Sequence, residues 1–161
     1  MKYILLILAV IPPLVLSDDL PQVDKVLVNK SIHKMYLVKG EETLREYDIS
    51  LGGNPFGHKE KEGDQRTPEG RYILDYKKSD SAFYKAIHIS YPNTQDKMAA
   101  QEKGVDPGGA IMIHGQRNGY GWVSLLTQLF DWTHGCIAVT NSEIDEIWLA
   151  VNEGTPIEIY P

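Results

Sequence analysis

The chain has 161 residues, of which 42% are hydrophobic, enough to bury one core and too short for two ordinary domains. Its net charge is −6, with 16 Lys and Arg against 22 Asp and Glu and no basic cluster, which excludes an electrostatic grip on nucleic acid. A single cysteine excludes an intramolecular disulfide.

The N-terminus reads MKYILLILAVIPPLVLSDDLP: Lys2, an apolar run from Tyr3 to Leu16, then Ser17 and two aspartates. Residues 1–17 are expected to be a secretory signal peptide or an N-terminal anchor, although the run is shorter than the ~20 residues that span a bilayer. The working part is therefore expected in an export compartment, the periplasm or cell envelope. No cysteine lies near residues 15–20 to carry a lipid.

VDKVLVNK, HKMYLVKG and TLREYDISLGG read as three strands between Val23 and Leu51, with VKGEE as the hairpin turn between the last two. In the third, Tyr47, Ile49 and Leu51 share one face and Glu46, Asp48 and Ser50 the other. GGNPFGHKEKEGDQRTPEG is a long loop, and loops of that length in compact domains are usually functional or disordered. Strands resume at RYILDY and AIHISYP, and TQDKMAAQEKG reads as a short helix ending at Gly104. GAIMIHG is a candidate buried strand with Met112 and His114 on one face and Ile111 and Ile113 on the other. GWVSLLTQLFDWTHG is helical over its middle; its aromatic residues, with Tyr120, fit either a lid or groove or the packed side of a helix. TNSE is a capping box on Thr140 and Glu143, opening a helix whose Ile144, Ile147, Trp148 and Val151 form one apolar stripe. TPIEIYP is the last strand. The sum is a β-dominated α+β domain.

The lone thiol, Cys136, is the chemical candidate. In an oxidising compartment an unpaired cysteine forms an intermolecular bond, stays free and reactive, or packs as a small hydrophobe. Reactivity needs a base, and two histidines are available: His134, two residues before, and His114 at the end of a strand. Gly135 permits a sharp turn that aims backbone N–H groups at one point, as an oxyanion requires, or it merely ends a helix. His33 and His58 read as surface residues, and His88 as exposed or groove-lining. The H-x-C spacing is not a usual zinc pattern, so no metal and no cofactor is expected.

IMIHG followed by THGCIAVTN, preceded by GDQRTPEGRY, resembles the L,D-transpeptidase catalytic domain, the YkuD family. The shared elements are a strand ending in His-Gly, a [Ser/Thr]-His-Gly-Cys motif with Asn five residues past the cysteine, and a Gly-Asp-x-x-Thr-Pro-x-Gly element. They span residues 23–161, the whole chain beyond the leader. The resemblance implies a β-sandwich or barrel-like domain with short helices. It also implies a cysteine acyltransferase that cleaves peptidoglycan stem peptides after the third, diamino acid, residue and passes the acyl group to an amine.

By the same resemblance Cys136 is the nucleophile, His114 the general base and His134 a second motif histidine. The Gly115 carbonyl orients an imidazole, and the N–H groups of Gly135 and Cys136 form the oxyanion hole. Thr133, Asn141 and Arg66 are implied as substrate contacts, and carbapenem-type inhibitors as covalent ligands of the thiol. One position departs from the family pattern: Ala138 stands where many members carry an arginine, whose role is then either missing or supplied from elsewhere, by Arg66, Arg71 or Arg117. Two other outcomes share this sequence, an L,D-carboxypeptidase or other hydrolase of the same acyl-enzyme, and a non-catalytic wall-binding protein.

Overall fold

The computed structural model describes residues 20–161, so the expected leader lies outside the described residues. Strand β1 (Lys25–Asn29) alternates buried Val26 and Val28 with half-exposed neighbours, the signature of a strand with one core-facing side. β2 (Lys34–Lys39) and β3 (Glu42–Asp48) pair as an antiparallel hairpin, with Gly40 at φ 59° in the turn, a conformation glycine adopts without steric cost. β3 ends at Asp48, earlier than its alternation suggests, because the chain beyond it leaves β2 for the far edge of the sheet.

β4 (Gly70–Ser81) and β5 (Tyr84–Ile89) form a long antiparallel arm. Helix α1 (Thr94–Glu102) starts at Asn93, whose side chain accepts from the N–H groups of Gln95 and Asp96 while Asp96 accepts from the Asn93 N–H. β6 (Met112–His114) follows, then a 3₁₀ turn (Gly121–Val123), the one-turn helix α2 (Ser124–Thr127) and the two-residue strand β7 (Ile137–Ala138). Helix α3 (Asn141–Ala150) carries the expected capping box, and its Ile144, Ile147 and Ala150 are fully buried. β8 (Thr155–Tyr160) is the last strand.

These eight strands make one sheet, in the order β3-β2-β1-β8-β4-β5-β6-β7. The last strand inserts at its centre, parallel to β1 and antiparallel to β4. The core lies on one face, built from β-branched and leucine side chains such as Leu37, Leu74, Ile87, Ile113 and Ile157, each burial worth about 1.5–3 kcal/mol.

The sheet's two edges then meet. Just past β3, Ser50 bridges Ala138 on β7, exchanging both backbone hydrogen bonds at 2.9 Å. Gly52 bridges Thr133, with Thr133 N–H donating to Leu51 O at 3.1 Å and Gly53 N–H to Thr133 O at 3.0 Å. The curl is thus the barrel-like form of the expected domain, and the THGC motif lies on its closing seam.

Candidate active site

The seam forces the backbone of residues 133–136 into a tight turn. Gly135 sits at φ 121°, and a Cβ added there would meet Arg66 O at 2.6 Å. Across the seam a Cβ on Gly52 would meet Gln65 O at 2.1 Å. Only glycine lets three backbone segments approach so closely. Thr133 fixes the turn from inside: its Oγ1 accepts the Gly135 N–H at 3.1 Å and donates to Cys136 O at 2.7 Å. Of the two backbone donors expected to hold an oxyanion, the Gly135 N–H is therefore already engaged, while the Cys136 N–H has no acceptor among the described residues.

Cys136 is half-buried, with Sγ 3.7 Å from the carbonyl oxygen of Ala110, within thiol hydrogen-bond reach. Ala110 itself sits at φ 54°, a strained conformation for a residue with a Cβ and one that tends to persist at functional sites. Burial pushes the thiol pKa up, against the pull of the Met112 N–H and the Lys59 charge.

β6 and β7 run parallel, with His114 opposite Ala138. Residues two apart on a strand share a face, so Met112 and His114 lie on the face of Cys136 and Ala138, while Ile111 and Ile113 enter the core. The His114 imidazole is buried between Phe83 (centroids 4.6 Å) and Trp132 (5.8 Å). Its Nδ1 lies 2.6 Å from Gly115 O, and since a carbonyl only accepts, Nδ1 carries the proton and Nε2 the free lone pair. Burial lowers its pKa, opposed by this hydrogen bond. The resting pair is thus a neutral thiol and a neutral imidazole.

A cavity of about 440 Å³ is lined by Cys136, His114, His134 and Thr133 together with Phe83, Met112, Trp132 and Arg117. The exposed His134 also borders a second cavity of about 340 Å³, lined by Lys59, Glu62, Gln65 and the glycines 63, 108 and 109. Lys59 is buried, its Nζ donating to Asp64 Oδ1 (2.9 Å) and Lys61 O (3.0 Å). Burial opposes ionisation of Asp64, yet donors from the Glu60, Lys61 and Arg66 N–H groups and the Lys59 ammonium outweigh it and hold its pKa at about 2.

The remaining sequence candidates sit outside the cavity that holds the thiol. Asn141 caps the far side: its Oδ1 accepts from the Gln116 N–H at 2.8 Å and leaves no room for a Cβ at Gly115. Arg66 donates to His58 O at 3.3 Å, and Arg71 is exposed beside Glu158 on β4. His58, read as a surface residue, is built into the loop: it accepts the Glu69 N–H and pairs with Asp96 at 3.2 Å. His33 reaches Asp131 at 2.9 Å, and His88 stacks on Tyr76 and meets Asp75 at 2.7 Å. Trp122 and Phe130 are exposed rather than packed in the core, and Trp132 carries a buried indole N–H without an acceptor among the described residues. No group of three or more His, Cys, Asp or Glu side chains among the described residues is placed to hold a metal ion. Sequence reasoning missed Lys59, which has no periodic or motif signal of its own, and Asp131, hidden beside the motif tryptophan.

The chain is similar to known proteins over most of its length. The family model described as "L,D-transpeptidase catalytic domain" (YkuD) matches residues 24–159. The curated relative named "Putative L,D-transpeptidase YafK" of Escherichia coli K12 is 35% identical over 138 residues, covering 79% of this chain and 48% of its own. The helical cell shape determining protein Pgp2 of Campylobacter jejuni, in its K307A form, superposes with a TM-score of 0.66 at 28% identity, over 86% of this chain and 47% of its own. The L,D-transpeptidase LdtMt1 in complex with imipenem shares the fold, with a TM-score of 0.54 at 18% identity over 84% of this chain and 57% of its own. The chain spans about half the length of the curated relatives it matches.

Proposed function

Because the chain belongs to the L,D-transpeptidase catalytic-domain family, we propose that it is an exported cysteine acyltransferase acting on peptidoglycan stem peptides, with Cys136 as nucleophile and His114 as general base. One observation carries this reading: a free thiol and an imidazole whose unprotonated Nε2 is fixed by the Gly115 carbonyl line one cavity. Export is supported by the apolar leader in the sequence.

In the proposed mechanism the thiol gives its proton to His114 Nε2 as Sγ attacks the carbonyl of the third stem residue. The resulting oxyanion faces the free Cys136 N–H. Collapse breaks the C–N bond; the departing amino group of the terminal residue takes the proton back from His114, and a thioester remains on Sγ. An acceptor amine then attacks, passing its proton to His114; the new C–N bond replaces C–S, and Sγ takes that proton as it leaves, restoring the thiol. Water in place of the amine gives the carboxypeptidase outcome from the same intermediate. Starting from a neutral pair, the site needs no standing thiolate, only proton transfer concerted with attack. The neutral thiol is also less exposed to stray oxidation in an oxidising compartment. The imipenem complex of the structural neighbour LdtMt1 supports a carbapenem as a probe of this thiol.

Intact-mass spectrometry tests the reading. Wild-type protein incubated with a carbapenem gains the inhibitor's mass, and with a disaccharide tetrapeptide it releases D-alanine; Cys136→Ala does neither. Absence of both in the wild type would turn the reading to a wall-binding protein without catalysis. Release of D-alanine without cross-linked product when an amine acceptor is supplied would assign the hydrolase instead.

A further inference from the structure

The cavity beside Cys136 is bordered by an exposed arginine that has no counter-ion among the described residues. Arg117 borders it and also borders an adjoining cavity of about 270 Å³ lined by Gln116, Tyr120, Thr127 and Trp132. Its guanidinium lies 5.8 Å from the Tyr120 ring and forms no salt bridge among the described residues. The other arginines are committed elsewhere: Arg45 to Glu146 and Leu44 O, Arg66 to His58 O, Arg71 to Glu158. Lys59, on the far side of His134, is neutralised by Asp64. Phe83, Ala86, Met112 and Trp132 supply the apolar part of the wall, and Ser81, Thr133 and the two histidines its uncharged polar part, so no carboxylate lines it. An aromatic face restricts the guanidinium's motion and leaves its edge donors free, and planar paired donors suit a carboxylate. The buried indole N–H of Trp132, in the wall between the two cavities, is a second donor without an acceptor.

We propose that Arg117 is the specificity-determining residue for the acyl donor: it binds the free carboxylate of the terminal residue that leaves when Cys136 attacks. This rests on the transpeptidase reading above. The carboxylate of the leaving residue is the donor's anion nearest the scissile carbonyl along the chain, and it is present whatever diamino acid occupies the third position. The arrangement selects peptides that end one residue past the scissile bond and disfavours those whose terminus is blocked or extended.

The test compares release of the terminal residue from four tetrapeptides: free acid or C-terminal amide, each with L-lysine or meso-diaminopimelate at the third position. Wild-type, Arg117→Gln and Arg117→Lys proteins are compared, each checked for an unaltered thermal melt. Wild type is expected to favour acid over amide in kcat/KM by about 10- to 100-fold, the size of a charge-assisted hydrogen-bond pair. Arg117→Gln brings that ratio towards one, mainly by lowering kcat/KM for the acids, and Arg117→Lys keeps part of it. An acid-to-amide ratio unchanged in Arg117→Gln overturns the assignment while the transpeptidase reading stands. So does a change confined to the choice between lysine and diaminopimelate, which would place the diamino acid's carboxylate on Arg117 instead. Wild-type protein that turns over none of the four defeats the functional reading, and the role of Arg117 with it.

Discussion

At the scale of single residues, the neutral state of Cys136 and His114 has a kinetic consequence. Burial raises one pKa and lowers the other, so both groups are uncharged at neutral pH. Alkylation of Cys136 by a small uncharged reagent without substrate is therefore expected to accelerate only above the usual thiol range. A midpoint near pH 6 to 7 would reveal a standing thiolate–imidazolium pair and refute this. Turnover should behave oppositely at the acid end: kcat/KM holds as pH falls past 6.5 and declines only once His114 is protonated below its ordinary value. Glycine geometry supplies a second residue-scale prediction. Gly52→Ala drives a methyl into Gln65 O, built at 2.1 Å, and is expected to cost about 3 kcal/mol in urea unfolding, whereas Gly154→Ala, with open space around its Cβ, costs only the strain of its φ of 93°.

At the scale of elements, the seam between Ile49–Gly53 and residues 131–138 positions Cys136, the proposed nucleophile. Asp131 ties it: Oδ1 accepts the Leu51 N–H at 2.8 Å and Oδ2 meets His33 Nε2 at 2.9 Å, linking the β1–β2 turn to the motif loop. Asp131→Ala is expected to destabilise by about 2 kcal/mol and to lower kcat with little change in KM, because the turn moves rather than the substrate contacts; Asp131→Asn, which keeps an acceptor for Leu51, recovers much of both. Failure of the asparagine variant to recover either would mean that the charge, not the acceptor, holds the seam. The seam also marks the limit of what the sequence conveys. Strands with alternation, such as β1, β5 and β8, and the capped helix α3 were legible because their periods are local. The outer half of β4, Lys77 to Asp80, has no apolar alternation and is a strand only because β5 pairs with it. β7 is two residues long and exists through partners distant in sequence, β6 and Ser50. The site was legible for a similar reason: Cys136, His114 and their glycines carry a local motif, while Arg117 and Lys59 acquire meaning only from what they border or pair with.

At the scale of the molecule, stability should fall on acidification in two separable steps. His114 is held neutral in the fold with a pKa below 6.5, so below that pH the unfolded chain binds a proton the fold resists, and stability declines as pH drops through the depressed value. Asp64 has the same sign for a different reason: its carboxylate is held at about 2 against 3.8 in the open chain, so its contribution is complete above pH 4 and lost between about 4 and 2. The difference is worth about 2 kcal/mol. Its loss matters beyond that figure, because a protonated Asp64 leaves the buried Lys59 ammonium without its counter-charge near the turn that carries Cys136. Urea unfolding at intervals from pH 7 to 2.5 resolves the steps. His114→Gln flattens the slope just below 6.5 and keeps the lower one. Asp64→Asn loses about 3 kcal/mol at neutral pH and keeps the upper slope while flattening the lower. A wild-type profile flat from 7 to 4 would show that His114 is not held neutral by the fold, and with it would go the picture of an uncharged pair waiting for substrate.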